Sequence, residues 1–221
     1  MIKFLRLLVL VLLVLLLAGT AFRWGGWLRV REVRVNPARY VAVEKLTGRF
    51  LGANILRLDL RPLWTELAQD SRVLGAQARL NFFRLRLEIE IRERSPLVAL
   101  EIVGQGSFWV DREGVILESA EGARVRAKAV APGRVAPELV EAALAWERLP
   151  GALAERFPVL DLTSSEAVAP GPPVLLLGAI CQVPEKLGIL SALWREGLLE
   201  GQALVDLRFR DIVVLKRAKG R

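Results

Sequence analysis

The sequence contains no histidine, and cysteine and methionine each occur once among its 221 residues. Without histidine, the chain cannot build a Ser-His-Asp or Cys-His arrangement, and it lacks the commonest protein ligand for transition metals. The single cysteine, Cys181, excludes an internal disulfide and a zinc cluster. We therefore expect no enzymatic activity, no metal site and no cofactor.

Basic side chains outnumber acidic ones by 32 to 24, which gives a formal net charge of +8. A basic chain is sometimes a nucleic-acid binder. Here, however, no block of five Lys or Arg residues occurs, and Arg alternates with Glu along the predicted strands. This pattern is typical of a solvated surface that faces water, anionic lipid or protein partners, so we predict no nucleic-acid ligand.

The longest uncharged stretch runs from Leu7 to Phe22, between Arg6 and Arg23. As a helix, these sixteen residues cover about 24 Å, whereas the hydrocarbon core of a bilayer is about 30 Å thick. The flanking arginines can snorkel, and Trp24 and Trp27 can lie at the headgroups. The stretch predicts a transmembrane helix over residues 7–27, preceded by a short tail over residues 1–6.

A cleaved signal peptide is the alternative interpretation of this stretch. Lys3 and Arg6 form a basic start, and Gly19-Thr20-Ala21 offers a small-x-small cleavage pattern. The orientation is also open at this point. The Lys and Arg counts on the two sides favour a cytoplasmic C-terminal part, whereas long domains are translocated largely regardless of their charge.

Residues 30 to 95 show a β-α-α-β-β order. The clearest pattern is Leu85 to Arg92, where apolar and charged residues alternate, which predicts a half-buried strand with Ile89 buried and Glu88 exposed. The shorter alternation from Ala76 to Leu80 predicts its hairpin partner. The other predicted elements are a strand over 30–35 and helices over 43–50 and from Asp59 to Asp70. We expect a three-stranded sheet with two helices on its apolar face, ending at Ser95-Pro96.

The second half of the sequence predicts mainly strands, with two amphipathic helices and a long polar connection from Glu118 to Gly133. The two helices have apolar residues at helical spacing. The predicted helices cover 137–149 and 184–197, and the predicted strands cover 97–103, 108–111, 115–117, 159–162, 174–177, 204–209 and 212–215. The fold class is therefore α+β: a transmembrane helix, a small β-α-α-β-β domain, and a larger, mostly antiparallel β domain with two helices.

Five stretches of the sequence form an ordered set of motifs: Gly52 to Asp59, Leu87 to Pro96, Trp109 to Leu117, Leu176 to Gly178 with Lys186-Leu187, and Val205 to Phe209. In this order they resemble the FtsQ/DivIB family of bacterial cell-division proteins, which carry an FtsQ-type POTRA domain and a C-terminal β domain. Together they span nearly the whole chain. The resemblance implies a cytoplasmic tail over 1–6, a transmembrane helix over 7–27, a POTRA domain over 28–96, an FtsQ-type β domain over 97–217 and a basic tail over 218–221.

The resemblance implies a non-enzymatic, single-pass scaffold of the divisome. Such a protein lies in the cytoplasmic (inner) membrane at the division septum, with its C-terminal bulk outside the cytoplasm. It links early and late division proteins and regulates septal wall synthesis through FtsB/DivIC-like and FtsL-like partners. In the family, FtsB adds a strand to the edge of the C-terminal sheet, so main-chain hydrogen bonds provide affinity and neighbouring side chains provide selectivity.

The last apolar stretch, Ile212-Val213-Val214-Leu215, corresponds by position to that edge strand. Arg208 and Phe209 match family positions that hold an ion-pairing arginine and an aromatic contact. The sequence departs from the family at Ala179, where other members carry a basic residue that pairs with the partner. It also departs at Phe82-Phe83, where many members have a proline. From the residues alone, the alternative for the final stretch is a central strand buried on both faces.

Two other classes of function are alternatives. An anchored POTRA module could act as a chaperone or transport adaptor for unfolded substrates. An anchored hydrolase would need a nucleophile and a base, and the sequence offers no such pair.

Overall fold

The computed structural model describes residues 2–23 and 28–218. Within these ranges the chain is an α+β protein with six α-helices and twelve β-strands. After α1 (Ile2–Arg23), the fold comprises two sheets in two compact units, and the division between the units falls between Glu93 and Arg94. The sequence predicts this boundary at Ser95-Pro96.

The prediction of a transmembrane helix over residues 7–27 is wrong. The stretch is helical as far as Arg23, but none of the helices in the described ranges is long and apolar enough to cross a membrane. The physical reason is the length of the uncharged run, because its sixteen residues reach about 24 Å against a hydrocarbon core of about 30 Å. Trp24 and Trp27, predicted at the headgroups, lie outside the described residues.

The first unit contains the predicted β-α-α-β-β order. Its strands form a three-stranded sheet in the order β1-β3-β2, with β1 parallel and β2 antiparallel to the central β3. The elements are β1 (Glu32–Val35), α2 (Val43–Phe50), a 3-10 turn (Ile55–Arg57), α3 (Arg61–Gln69), β2 (Val73–Asn81) and β3 (Arg86–Glu93).

The core of this unit follows from the alternation in β3. Leu87, Ile89 and Ile91 are all buried and pack in one cluster with Leu63 and Leu67 of α3. The predicted burial of Ile89 is confirmed, since only 2% of its surface is exposed. Glu88, which was predicted to face water, is half-buried as a residue, and 45% of its side chain is exposed.

The second unit carries a nine-stranded mixed sheet in the order β12-β11-β10-β9-β8-β7-β4-β5-β6, in which antiparallel pairings predominate. Helix α4 packs against β4, β7 and β8, and α6 packs against β10 and α4. The strands are β4 (Val98–Ile102), β5 (Gly106–Val110), β6 (Ile116–Ser119), β7 (Val125–Ala127), β8 (Leu160–Leu162), β9 (Glu166–Ala169), β10 (Val174–Ala179), β11 (Gln202–Asp206) and β12 (Val214–Arg217). The helices are α4 (Pro137–Glu147), α5 (Gly151–Arg156) and α6 (Val183–Arg195).

This unit contains three elements that were not predicted from the sequence. The long connection predicted from Glu118 to Gly133 contains β7, which pairs in parallel with both β4 and β8. Its three residues include Arg126, so the segment looks polar although Val125 and Ala127 are fully buried. The unit also contains strand β9, which was not predicted. It has three α-helices instead of the two predicted, because α5 is an additional helix. These elements are too short to produce a recognisable period.

Candidate partner-binding edge

Strand β12 lies at one end of the nine-stranded sheet. Its one neighbour among the described residues is β11, with which it pairs antiparallel, Val214 opposite Asp206 and Leu215 opposite Val205. The strand covers 214–217, whereas the sequence predicts it at 212–215. The two-residue difference arises because Ile212 and Val213 belong to the loop that leads into the strand. We call residues 212–217 the β12 edge.

The direction of the backbone groups along the β12 edge follows from one hydrogen bond. The N–H of Ala218 donates to the carbonyl of Gly201 at 3.1 Å, so it points towards β11. Because backbone groups alternate along an antiparallel strand, the N–H of Lys216 also points inwards, while those of Leu215 and Arg217 point away from the sheet. The edge therefore presents open donors and acceptors to an added strand.

Apolar side chains lie on both faces of the β12 edge. Val213 and Leu215 pack against the core of the second unit. Ile212 and Val214 are exposed, with 63% and 41% of their surfaces accessible. The alternation thus fixes the strand to its own sheet through one face and leaves two apolar side chains on the other.

Ahead of the β12 edge, Asp206 ends β11 and redirects the chain. The residue is only 5% exposed, and its carboxylate accepts a hydrogen bond from the backbone N–H of Arg208 at 3.0 Å. The Arg208 guanidinium makes a two-pronged contact with the same carboxylate, Nε to Oδ1 at 2.9 Å and Nη2 to Oδ2 at 2.8 Å. A carboxylate that binds the backbone two residues on forms a turn, which explains why the strand predicted over 204–209 ends at residue 206.

The Asp206–Arg208 pair has a clear electrostatic effect. Hydrogen bonds from the Arg208 side chain hold the pKa of Asp206 below its usual value, and the same contacts raise the pKa of Arg208. Glu166 adds a longer contact to Arg208, at 3.5 Å. The arginine predicted to pair with a partner is thus already paired inside the unit, with 41% of its side chain exposed.

The loop between β11 and β12 is held by two further hydrogen bonds, and it passes close to the backbone of Gly178. The N–H of Leu207 donates to the carbonyl of Leu176 at 2.8 Å. The buried ammonium of Lys186 donates to the carbonyl of Phe209 at 2.7 Å. Gly178 has φ of +85°, and a Cβ there would lie 3.3 Å from the Cα of Arg208. The close approach and the left-handed backbone both favour glycine at this position.

These contacts place Phe209 outside the sheet. Its carbonyl is fixed by Lys186, while 52% of its surface is exposed. An exposed aromatic side chain on an anchored loop loses little conformational freedom when a partner covers it, and aromatic residues are enriched among binding hot spots. The loop and the β12 edge together offer main-chain groups, an aromatic contact and two apolar side chains.

The structure thus brings the predicted site residues together at one end of one sheet, in the loop and strand after β11: Arg208, Phe209, Ile212, Val213, Val214 and Leu215. The positioning roles of Asp206, Lys186 and Gly178 were not predicted from the sequence. All three fall in the stretches that carry the family resemblance, which was the available signal. Ala179, the predicted departure, is exposed at the end of β10 opposite Glu166.

The described ranges contain no group of three or more His, Cys, Asp or Glu side chains arranged to hold a metal ion. Comparison with protein-family models finds no match to the chain, and comparison with curated proteins finds no significant match. The function is therefore inferred from the geometry of the β12 edge and from the motifs in the sequence.

Proposed function

We propose that this protein is an FtsQ/DivIB-like scaffold of the bacterial division machinery and that it binds a partner strand at the β12 edge. The partner is an FtsB/DivIC-like protein acting together with an FtsL-like protein. The scaffold links early and late division proteins at the septum, outside the cytoplasm, and regulates septal wall synthesis. It performs no chemistry of its own.

The observation that carries this proposal is the open end of the nine-stranded sheet. Natural proteins usually cover or blunt exposed edge strands, because an open edge pairs with other chains. The β12 edge carries no proline and leaves Ile212 and Val214 exposed. An extended partner segment would satisfy the outward backbone groups of Leu215 and Arg217, in the strand-addition mode of peptide recognition.

Side chains beside the edge favour one kind of segment. Lys216 and Arg217 are exposed on β12 itself, and Arg210 is exposed in the preceding loop. A partner with acidic residues flanking an apolar strand would complement these charges and the apolar face. Phe209 would pack against an apolar side chain of the segment, so charge would set the encounter rate and the aromatic contact would slow dissociation.

Proline substitutions at adjacent positions test the proposal. Arg217→Pro removes a donor that points to the open side, and the residue is exposed, so the unit should stay folded while the partner no longer co-purifies. Lys216→Pro is the matched control, since it removes a donor that points to β11 and should destabilise the sheet itself. Arg217→Gln separates the loss of charge from the loss of the N–H.

The expected pattern is full loss of co-purification with a folded Arg217→Pro protein and near-normal binding by Arg217→Gln. Val213→Pro places a proline directly before the strand, where it should obstruct the approach of a partner strand and also abolish co-purification. Unchanged partner binding by folded Arg217→Pro and Val213→Pro proteins would rule out strand addition at this edge.

A second candidate function is an adaptor for extended chain segments, and one observation in the first unit favours it. The nine-residue strand β2 is an edge strand of the three-stranded sheet. Between it and α3 lies a groove of about 380 Å³, lined by residues that include Trp64, Leu67 and Leu74. A POTRA-like module that recruits unfolded segments would use this edge.

The two candidates differ in which edge is needed. A Gly75→Pro change alters β2, and Arg217→Pro alters β12. Loss of the division partner only with Arg217→Pro supports the scaffold. Loss of extended-segment binding only with Gly75→Pro, in a folded chain, supports the adaptor.

A further inference from the structure

The turn between β2 and β3 exposes two adjacent phenylalanines. Phe83 has its entire surface accessible, and Phe82 is 55% exposed. Both lie in the four-residue connection between Asn81 and Arg86, which face each other at the end of the hairpin. Two large aromatic side chains in water are costly, at about 25 cal/mol for each Å² of apolar surface. Their exposure calls for a partner.

The exposure does not come from a loose loop. The side chain of Asn81 accepts a hydrogen bond from the N–H of Arg84 at 3.1 Å, which closes the turn. Leu85 has φ of +51°, a conformation that costs about 1–3 kcal/mol for a residue other than glycine. Its carbonyl accepts from the N–H of Arg31 at 2.8 Å, and its side chain packs against the core. The strained leucine is thus held in place, and the phenylalanines are directed outwards.

The charges around this turn are unequal. Glu32 is paired with Arg34 at 2.6 Å and with Arg86 at 2.7 Å, and Glu88 lies 3.4 Å from Arg86. Three other exposed arginines near the turn make no ion pair with the described residues: Arg31, Arg79 and Arg84. Arg79 lies opposite Glu88 in the strand register, and exposed Glu90, two residues further from the turn, makes no ion pair with the described residues. The charge left without an ion pair is thus three arginines against one carboxylate, which is net positive.

We propose that the β2–β3 turn inserts its two phenylalanines into an anionic lipid surface. A convex tip suits a bilayer better than a protein, because a stable protein interface needs about 800 Å² on each side and a shape-matched surface. Insertion into the boundary between headgroups and acyl chains needs only a protruding apolar tip with basic residues behind it. The three unmatched arginines supply the attraction to anionic headgroups. This inference does not depend on strand addition at the β12 edge.

The test uses the full chain and a probe that reports from one position. The exposed Leu8–Leu17 side chains of α1 can also contact lipid, so vesicle binding alone is not the readout. Cys181 is exposed and is first replaced by serine. The substitution Phe83→Cys then provides a single cysteine for an environment-sensitive dye, which stands in for the phenyl ring. The matched control carries the dye at Leu74, an exposed apolar position at the other end of β2.

With vesicles containing phosphatidylglycerol, we expect the chain to float together with the vesicles. The emission of the dye at position 83 should shift to the blue, and spin-labelled lipid should quench it. The dye at 74 should keep its emission in water. Arg84→Gln and Arg79→Gln should each weaken the response about fivefold, which corresponds to about 1 kcal/mol for each arginine near the surface.

Four results would overturn the proposal. One is a chain that does not bind these vesicles, and another is an equal response on purely zwitterionic vesicles. A third is an equal shift at both dye positions. The fourth is a bound chain whose dye at 83 stays in water, which would leave a protein surface as the occupant of the tip.

Discussion

At each end of the nine-stranded sheet, a buried aspartate turns the chain, but the chain follows a different path after each turn. At one end, buried Asp111 accepts hydrogen bonds from the N–H groups of Glu113 and Val115 and from Arg94. At the other end, buried Asp206 accepts from the N–H and the guanidinium of Arg208. In both places a carboxylate beside an arginine turns the chain at the end of a strand.

The two ends differ in the path of the chain after each turn. After Asp111, the chain returns to cover its own edge strand β6, since the N–H of Ile116 donates to Gly133 and that of Val135 donates to Gly114. After Asp206, the chain enters β12 and nothing in the described ranges pairs with its outer side. One edge is protected in part and the other is left open. The contrast indicates that the open edge is not a general feature of this sheet.

The largest expected effect concerns the protected end. A Cβ on Gly114 would lie 2.1 Å from the carbonyl oxygen of Val135, and the residue has φ of +82°. Gly114→Ala should lower the free energy of unfolding of the second unit by about 3 kcal/mol or more, since it adds a clash to the backbone strain.

Two matched glycines sharpen this comparison. Gly178→Ala at the open end should cost less, about 1–2 kcal/mol, because its nearest contact is 3.3 Å away. A Cβ at Gly122 would meet open space, so Gly122→Ala should show only the cost of a positive φ in a residue with a side chain, about 1 kcal/mol. Hydrogen exchange of second-unit amides measures all three. Equal costs for Gly114 and Gly122 would mean that residues 133–135 do not seal the β6 edge.

The next effect concerns partner affinity at the open end. Phe209→Ala should weaken partner binding by about 2 kcal/mol, because an anchored aromatic side chain is lost from the interface. Stability should change by less than about 0.5 kcal/mol, since the side chain is half exposed. Calorimetric titration of the full chain with the FtsB/DivIC-like partner measures the change in affinity. An unchanged affinity would show that Phe209 does not contact the partner.

A pH-dependent effect distinguishes the Asp206 turn. The pKa of Asp206 in the folded chain lies below its ordinary value of 3.8. The stabilisation is therefore fully present above about pH 4 and is lost as the pH falls through the folded pKa. Asp206→Asn should lower the free energy of unfolding by about 1–2 kcal/mol at pH 7, as expected for hydrogen bonds to a charged group.

The same variant should approach the wild type in stability as the pH falls towards 3. Unfolding curves of both proteins between pH 3 and pH 7 measure the difference. A difference that does not change with pH would show that the ion pair with Arg208 contributes nothing beyond the neutral hydrogen bonds.

The smallest effect compares identical changes at the two edges. The N–H of Ala120 points to Ser107, so that of Ser119 points to the outside of β6. Ser119→Pro should alter stability by about 0.5 kcal/mol or less and leave partner binding unchanged. Arg217→Pro should be equally mild for stability but should abolish binding. Loss of binding with Ser119→Pro would place the partner at the β6 end of the sheet instead.

Local periodicity accounts for most of what the sequence predicts correctly. The error-free alternation around Ile89 predicts β3 and its buried face, and the helix predicted over 43–50 has the observed bounds of α2, Val43–Phe50. Strand β7 escapes prediction because three residues give no period, and its burial depends on β4 and β8, which are distant in sequence. The transmembrane prediction fails on length.

The candidate edge was likewise predicted only in part. Motifs in the sequence predict Arg208, Phe209 and the final apolar stretch. They do not predict that Lys186 fixes the carbonyl of Phe209, because this contact joins residues that are 23 positions apart in the sequence. The Asp206–Arg208 contact is local, two residues apart, but the alternation of Val205, Leu207 and Phe209 favours a continued strand and conceals the turn. The last strand begins at Val214 instead of Ile212, and the uninterrupted apolar run gives no local signal for this start.

The central claim is that a partner adds a strand to β12, and amide exchange along that strand tests it most directly. In the free chain, the N–H of Lys216 should exchange slowly and those of Leu215 and Arg217 should exchange quickly, because only the first points to β11. Adding the FtsB/DivIC-like partner should slow Leu215 and Arg217 selectively. Fast exchange at both positions in a saturated complex would contradict strand addition at this edge.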